Sequence, residues 1–422
     1  MNNKIKRIII FFLLFSAAIS VLPALPVNGD DLEVKIAIAG PDTPLYFWWG
    51  HLALVICNTR TNENNFYDYG VFSFNKEDFY YDFAFGRLNY TSMKTPMEYN
   101  IATYTENNRD VTLYTLDLPP EKKLNVLIEA EVSIGSEYLY HHFYNNCVTR
   151  VLELIDDATE GQFKQHFQNI PGRYTLRQHV RRFTWFSPFI DWILNFWMGQ
   201  RIDLSTSVWD EMYLPSEVGR QIVDFEYTDA DGNIRKLVSD VEILNTAQGR
   251  HGILEAPLPQ WVIEFAFSIV LSIALGFLFF MQKKFPALGQ VILGLIQSLL
   301  GLAFGIAGTV LLFMVLFTSH DYTFDNINLL FCNPLLLAAF PLGIKYAFSK
   351  NYYKRLKPEF MLRLLWFLVF LGVIVSMLIK FSPNYWQDNL TDQMLFLPIA
   401  LIFSFEPFGL ERLIRRIFWR WF

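Results

Sequence analysis

Between about Asp30 and Pro257 short apolar runs alternate with polar ones, and none approaches the ~18 apolar residues that a membrane span requires. Past Pro259 the pattern changes to long apolar blocks parted by short polar segments. These predict about five transmembrane helices, near Trp261–Met281, Gly289–Phe317, Leu329–Tyr346, Phe360–Ile379 and Met394–Leu410. Glu264, Glu406, Pro407 and the prolines of the third block interrupt them at the edges. In the first part, "GHLALVICNT" (50–59), polar "RTNENN" and "FYDYGVFSF" (66–74) read as a β-hairpin with a longer loop. "DVTLYTLDL" (110–118) alternates as another strand. "PPEKKLNVLIEAEV" begins with proline and has helical spacing. "NNCVTRVLELIDD" has Asn145 or Asn146 as N-cap, and Val148, Val151, Leu152 and Ile155 share one helical face.

The N-terminus adds a direction. A basic stretch, Met1 to Arg7, precedes the apolar run Ile8 to Leu22 and a polar exit through Asp31, which reads as a secretory signal or an uncleaved anchor. Either one exports the segment after it. The block boundaries agree: Lys283 and Lys284, then Lys345, Lys350, Lys354, Arg355 and Lys357, then Arg412, Arg415, Arg416 and Arg420 fall in alternate loops and the tail, on the cytoplasmic side. The opposite loops carry Asp321, Asp325, Asp388 and Asp392. The chain thus divides into a signal or anchor (1–29), an extracytoplasmic domain (30–258) and a membrane domain (259–422). At 422 residues, 52% hydrophobic and a mean hydropathy of +0.23, it has room for both folded parts. A net charge of −6, with no Gly-rich phosphate loop and no repeat, points away from nucleic acid. Three cysteines, Cys57, Cys147 and Cys332, leave at least one thiol unpaired within the chain and indicate no disulfide framework.

Cys147 is the candidate for chemistry. It opens a helix, where unpaired N–H groups and the positive end of the dipole favour the thiolate, the reactive form. A base is also required. His51 opens the first strand of the hairpin, and a strand end can face the N-terminus of a helix packed on its sheet. Asp68 on the next strand, or Tyr69 beside it, would orient the ring. The plain alternative is a small buried thiol and a structural histidine. His141 and His142 lack the second Cys/His pair that a metal site needs, so neither metal nor other cofactor is expected.

The order of histidine on a strand, polar residue on the next and Asn-Cys opening a later helix resembles circularly permuted papain-like enzymes such as the lecithin:retinol acyltransferases. More closely, "WGHLALVI", "YDYGVFSF", "FAFGRLNY", "ENNRDV", "YNNCVTRVLELI", "GQRIDL", "DEMYLPSEV" and "HDYTFDNINLLFCNPL" resemble the Lnb-type bacterial lipoprotein N-acyltransferases. The resemblance implies an α+β papain-like domain followed by an α-helical transmembrane bundle in the bacterial cytoplasmic (inner) membrane, with the catalytic domain on the periplasmic face. It implies Cys147 as nucleophile, His51 as base and Asp68 as orienting residue. "ENNRDV", which carries Arg109, has one Asn more than the family's Glu-Asn-Arg pattern. The implied reaction moves an acyl chain from a phospholipid, through a cysteine thioester, to the α-amino group of a diacylglyceryl-cysteine lipoprotein. Tyr69, Trp49, Asn146, Arg109, His320, Asp321 and Asn326 are candidates for support or substrate binding. Phe47, Trp48 and Trp49 are placed at the membrane interface, "QHVRRFTWF" (178–186) on the membrane surface, and the His320–Asn328 loop is either solvated or closes over the site. The competing readings are a papain-like cell-wall amidase or endopeptidase and a non-catalytic membrane-anchored binding protein.

Overall fold

The computed structural model describes residues 27–72, 78–259 and 261–418. The expected signal or anchor falls almost wholly outside the described residues, as does the end of the basic tail. Strand β1 (Leu32–Ala39) pairs antiparallel with β2 (His51–Asn58), from Leu32 opposite Asn58 to Ala39 opposite His51. β2 turns into β3 (Glu63–Val71) through Thr59–Asn62, with Asn62 at a φ of 59°. The turn is shorter than the polar run suggested, because backbone pairing of Asn58 with Glu63 and Cys57 with Asn64 carries the polar residues into the strand. Helix α1 (Phe79–Phe85), β4 (Asn89–Pro96), α2 (Met97–Glu106), β5 (Val111–Leu116), α3 (Pro120–Ser133), β6 (Glu137–Leu139) and α4 (Cys147–Ala158) come next. Beyond them lie α5 (Gln162–Gln168), α6 (Leu176–Thr184), α7 (Pro188–Trp197), α8 (Val208–Glu211) and α9 (Pro215–Gln221). The small hairpin β7 (Glu226–Thr228) and β8 (Ile234–Lys236) leads to β9 (Val238–Asn245), which completes an antiparallel sheet in the order β6-β4-β3-β2-β1-β5-β9.

Alternation along the strands makes two cores. Leu52, Leu54, Ile56 and Tyr67 face Val148, Val151, Leu152 and Ile155 of α4. Ala53, Val55, Cys57 and Phe66 face Met97 and Tyr104 of α2. β2 is therefore covered on both faces, which is why "HLALVIC" is apolar without alternation. Each large aliphatic side chain so buried contributes about 1.5–3 kcal/mol, and together they fix α4 across the ends of β2 and β3.

Four segments among the described residues are long and apolar enough to cross a membrane, Trp261–Lys284, Pro286–Phe317, Ile327–Phe348 and Tyr352–Phe381. They contain helices α10 (Trp261–Lys284), α11 (Pro286–Phe317), α12 (Ala339–Phe348) and α13 (Tyr352–Leu378). The fifth expected span is α14 (Leu390–Phe418), whose described apolar stretch, Leu390–Phe405, is shorter. The third span is not one regular helix: it starts as 3-10 turns at Ile327–Leu330 and Pro334–Ala338 before α12, since Pro334 has no N–H and Asn333 caps Leu335 instead. Small residues of α11 let this broken segment lie close. A Cβ on Gly305 or Gly308 would stand 2.6 Å from the backbone N of Leu337 or Asn333.

The two parts meet through polar contacts. His141 pairs with Asp321 at 2.7 Å, Arg181 with Asp388 at 2.5 Å, and Trp192 of α7 donates to Asp392 at 3.0 Å. Both acidic loops thus lie on the side of the sheet-rich domain, in agreement with the charge bias. The segment 178–186 does not lie on a membrane surface. His179, Arg181 and Arg182 are buried: "DEMYLPSEV" supplies Glu211 to His179 at 2.9 Å and Glu217 to Arg182 at 2.8 Å, and Asp388 pairs with Arg181.

Candidate active site

Gly50 has a φ of +80°, and a Cβ there would stand 2.8 Å from the carbonyl of Ala39, so only glycine turns the chain tightly into β2 and places His51 at the strand end. Next door, β3 and β4 shift register between Asp68 and Val71. This bulge carries Asp68 and Gly70 towards the same strand end. The backbone N–H of Gly70 donates to Oδ1 of Asp68 at 2.6 Å. Nε2 of His51 lies 3.1 Å from that oxygen, within ion-pair reach although the ring N–H does not point along the line between them.

Cys147 reaches this point from the other side. It is the first residue of α4, capped by Asn146, whose Oδ1 accepts from the N–H groups of Val148 (2.9 Å) and Thr149 (3.0 Å). The Asn146 side-chain N–H groups donate to the carbonyls of His142 and Tyr213 at 2.9 and 3.1 Å. Every polar group of Asn146 is spent on holding the cap, so it supports Cys147 and does not meet substrate directly. Gly70 is the meeting place. A Cβ built on it would lie 2.9 Å from Cε1 of His51, 3.2 Å from Oδ1 of Asp68 and 3.5 Å from Cβ of Cys147. Of the three free cysteines Cys147 alone is partly accessible, while Cys57 and Cys332 are buried.

Burial works against a charged His51, but the Asp68 carboxylate, then Tyr104 and Cys147, outweigh it and hold the ring well above its ordinary pKa. Burial likewise opposes the Asp68 carboxylate, and the His51 charge, the Gly70 N–H and the Arg109 charge bring it below the usual range. The pair is therefore set as imidazolium and carboxylate. With Nε2 turned to Asp68, Nδ1 is the nitrogen left for a proton exchanged with substrate or thiol. The N–H of Cys147, at the first helical position, has no acceptor within the helix and is free to stabilise an oxyanion.

The remaining candidates separate. Tyr69 turns to the opposite face of β3, where its hydroxyl accepts from Ser133 at 3.2 Å, so Asp68 is the residue brought to the ring. Arg109, 2% exposed, donates to the Gly40 carbonyl at 2.8 Å and lies over the Tyr104 ring at 4.6 Å, acting on Asp68 through charge. Trp49 packs half-buried beside Phe143 and Tyr213, Trp48 rests on Phe186 at 4.6 Å and Phe47 lies under Arg109 at 5.3 Å. Tyr46 is the most exposed aromatic of that stretch, and Phe47, Trp48 and Trp49 are each partly exposed. The His320–Asn328 loop is mostly buried and not solvated, and its Tyr322 packs against His142 and Phe143 in the turn before Cys147 at 5.6 and 6.2 Å. His320 bonds the Phe83 carbonyl (2.9 Å) and the Tyr322 hydroxyl (2.7 Å), and Asn326 donates to the carbonyls of Phe196 and Trp197, both at 3.1 Å. Asp321 reaches the site indirectly: its partner His141 accepts through Nδ1 from the N–H groups of Phe143 and Tyr144 in the turn before Cys147. A cavity of about 400 Å³ lined by Glu153, Asp157, Lys164 and Trp209 lies elsewhere on α4 and does not include the three converging side chains.

Sequence reasoning missed Gly70 and Tyr104. A glycine inside a strand pattern, two residues after a candidate acid, is a signal for a bulge that was there to be used. Gly70→Ala is expected to leave the fold intact but push the His51 ring aside, lowering turnover by about 10²-fold or more. Parent-like turnover in a folded Gly70→Ala protein would contradict this reading of the site.

Residues 26–182 match the family model described as the Lnb N-terminal periplasmic domain, and residues 260–383 match the one described as the Lnb transmembrane domain. Together the matches span more than half of the chain, and the first contains His51, Asp68 and Cys147. No curated protein and no solved structure matches.

Proposed function

Because this chain belongs to the Lnb family, we propose that its extracytoplasmic domain is a cysteine-dependent lipoprotein N-acyltransferase of the bacterial inner membrane. The observation that carries the reading is the convergence of Cys147, His51 and Asp68 on Gly70 at one strand end. The order of these residues is that of circularly permuted papain-like enzymes.

In the first half-reaction Sγ of the Cys147 thiolate attacks the ester carbonyl of a phospholipid. The oxyanion forms opposite the Cys147 N–H. As the C–O bond breaks, protonated His51 gives its proton to the leaving lysophospholipid oxygen, and a thioester remains. In the second, the α-amino group of a diacylglyceryl lipoprotein attacks the thioester, His51 takes the amine proton and the Cys147 thiolate leaves, giving an amide. Asp68 favours the imidazolium in both steps. Both substrates are lipids held in a bilayer, which accounts for a catalytic domain docked on membrane-spanning helices.

The intermediate is directly testable. Full-length protein incubated with phospholipid vesicles and no acceptor is expected to gain the mass of one acyl chain on the peptide containing Cys147, and hydroxylamine should remove it. Parent protein that never carries acyl on Cys147, yet transfers it, would rule the mechanism out.

The charge pairing also predicts a pH effect. Asp68 raises the His51 pKa, so imidazolium and activity persist to higher pH. Asp68→Asn removes that charge and is expected to move the basic limb of the kcat/KM profile to lower pH. An unmoved limb would assign it to a group other than His51.

A further inference from the structure

Two sets of aromatic rings on α1 lie between the membrane helices and the turn before the nucleophile. Phe313, near the outer end of α11, meets Phe85 of α1 edge-on at 5.5 Å. Phe85 packs on Tyr81 at 4.6 Å, and on the neighbouring face of α1 Phe83 and Phe79 lie 6.3 Å apart. Phe79 stacks on Phe72 at 6.0 Å, Phe72 meets Tyr90 at 4.9 Å, and Tyr90 stacks on Tyr140 at 4.0 Å. Tyr140 begins the turn that ends at Cys147: His141 and Asn145 exchange backbone hydrogen bonds, which folds that turn back and sets Tyr140 beside the start of α4. The Cys147 charge, after burial, raises the Tyr90 phenol, consistent with that proximity.

The helix that carries these rings is exposed where a soluble surface would be polar. Tyr80 is 73%, Tyr81 58% and Phe83 49% exposed. Nor does α1 stand free of the membrane part. Gly86, at a φ of +73°, ends it, and a Cβ there would lie 2.9 Å from the backbone N of His320; Ser319 donates to the Phe85 carbonyl at 2.9 Å. So α1 is fastened to the loop that leaves α11, level with the outer end of a membrane-spanning helix. Tyrosines on such a helix suit the headgroup region, and its phenylalanines suit acyl chains.

We infer that α1 is an interfacial element on which one acyl chain of an outer-leaflet phospholipid lies along Phe83, Phe79, Phe72 and Tyr90, with its ester at Cys147 and its tail towards Phe85 and the bundle. The occupant is a lipid chain because the surface is continuous with the membrane-spanning face. This inference rests on the acyltransferase reading for its purpose but not for its detection.

The test uses full-length Cys147→Ala protein in vesicles of phosphatidylethanolamine bearing a diazirine midway along one acyl chain. After illumination, crosslinks are expected on residues 79–87 and on Tyr90 or Tyr140, besides those on the bundle. Crosslinks on the bundle alone would overturn the inference. With Cys147 restored, Phe79→Ser/Phe83→Ser is expected to slow acylation by vesicle phospholipid at least about tenfold while leaving acylation by soluble 4-nitrophenyl butyrate unchanged. Equal loss with both donors, or with neither, would also overturn it. Crosslinks on α1 together with a parent protein that is never acylated by phospholipid would keep the surface and discard the donor reaction.

Discussion

Cys147→Ala is expected to abolish N-acylation while the protein accumulates in the membrane at parent levels. The side chain lies in the first turn of α4, half-buried at the edge of the core that holds Val148, Val151, Leu152 and Ile155. Losing one sulfur there removes little apolar contact, and the Asn146 cap does not depend on it. Losing the nucleophile removes the covalent path altogether, and removing a group of this kind costs a factor of about 10⁴ or more. Mass spectrometry of the N-terminal peptide of a lipoprotein, in cells lacking their own N-acyltransferase, reads the outcome as presence or absence of a third acyl chain. Cys57→Ala and Cys332→Ala serve as controls, because both thiols are buried in packing and far from the converging residues. A third chain added by the Cys147→Ala protein would leave Cys147 as packing. Its absence with the parent as well, with both proteins in the membrane, would instead direct attention to the cell-wall hydrolase reading.

The second large effect concerns stability. Arg177 has no exposed surface, and its guanidinium donates to Asp203 at 2.8 Å and to the carbonyls of Asn195 (2.8 Å), Met198 (2.8 Å) and Gly199 (2.7 Å). Burial alone would disfavour its charge, but Asp203 outweighs that and raises the Arg177 pKa. Arg177→Ala strands a buried carboxylate and three carbonyls in a place water does not reach. The expected loss is about 3–5 kcal/mol, the range for breaking one side of a buried pair. The contrast is Arg201→Ala. That residue pairs with Asp325 at 2.9 Å, but both side chains are about half exposed, so the loss should stay below about 1 kcal/mol. Thermal unfolding of the two detergent-solubilised variants separates these cases. Equal small shifts would mean that the α6–α7 network is hydrated in solution.

That network shows why charge in a sequence is a poor guide to exposure. "QHVRRFTWF" resembles an amphipathic surface helix because Arg181 and Arg182 stand beside aromatics. Their partners Asp388 and Glu217 are far along the chain, and no local pattern announces them. The strings "GQRIDL" and "DEMYLPSEV" did contribute to the family resemblance, and the fold shows what their acids do: Asp203 and Glu217 pair with Arg177 and Arg182, and Glu211 accepts from His179. The broken third span was similarly hidden, since hydropathy counts Pro334 and Asn333 as brief interruptions while backbone hydrogen bonding does not.

Local rules by themselves determined a good deal about this chain. Period-two and period-3.6 patterns located β2, β5, α3 and α4, since each buries a face whose spacing is written in consecutive residues. Long apolar blocks announced a membrane domain, and Lys and Arg bias oriented its loops. Asn-Cys before a helical pattern set Cys147 at a helix start, and the motif strings pointed to the Lnb family. Tertiary structure alone decided what meets what. His51, Asp68 and Cys147 converge only because β2 and β3 hold a particular register, a bulge at Asp68–Val71 turns one strand end, and Gly70 leaves room for the other two side chains. Register, bulge and burial of distant ion pairs depend on contacts between residues far apart in the chain, so no window of sequence contains them.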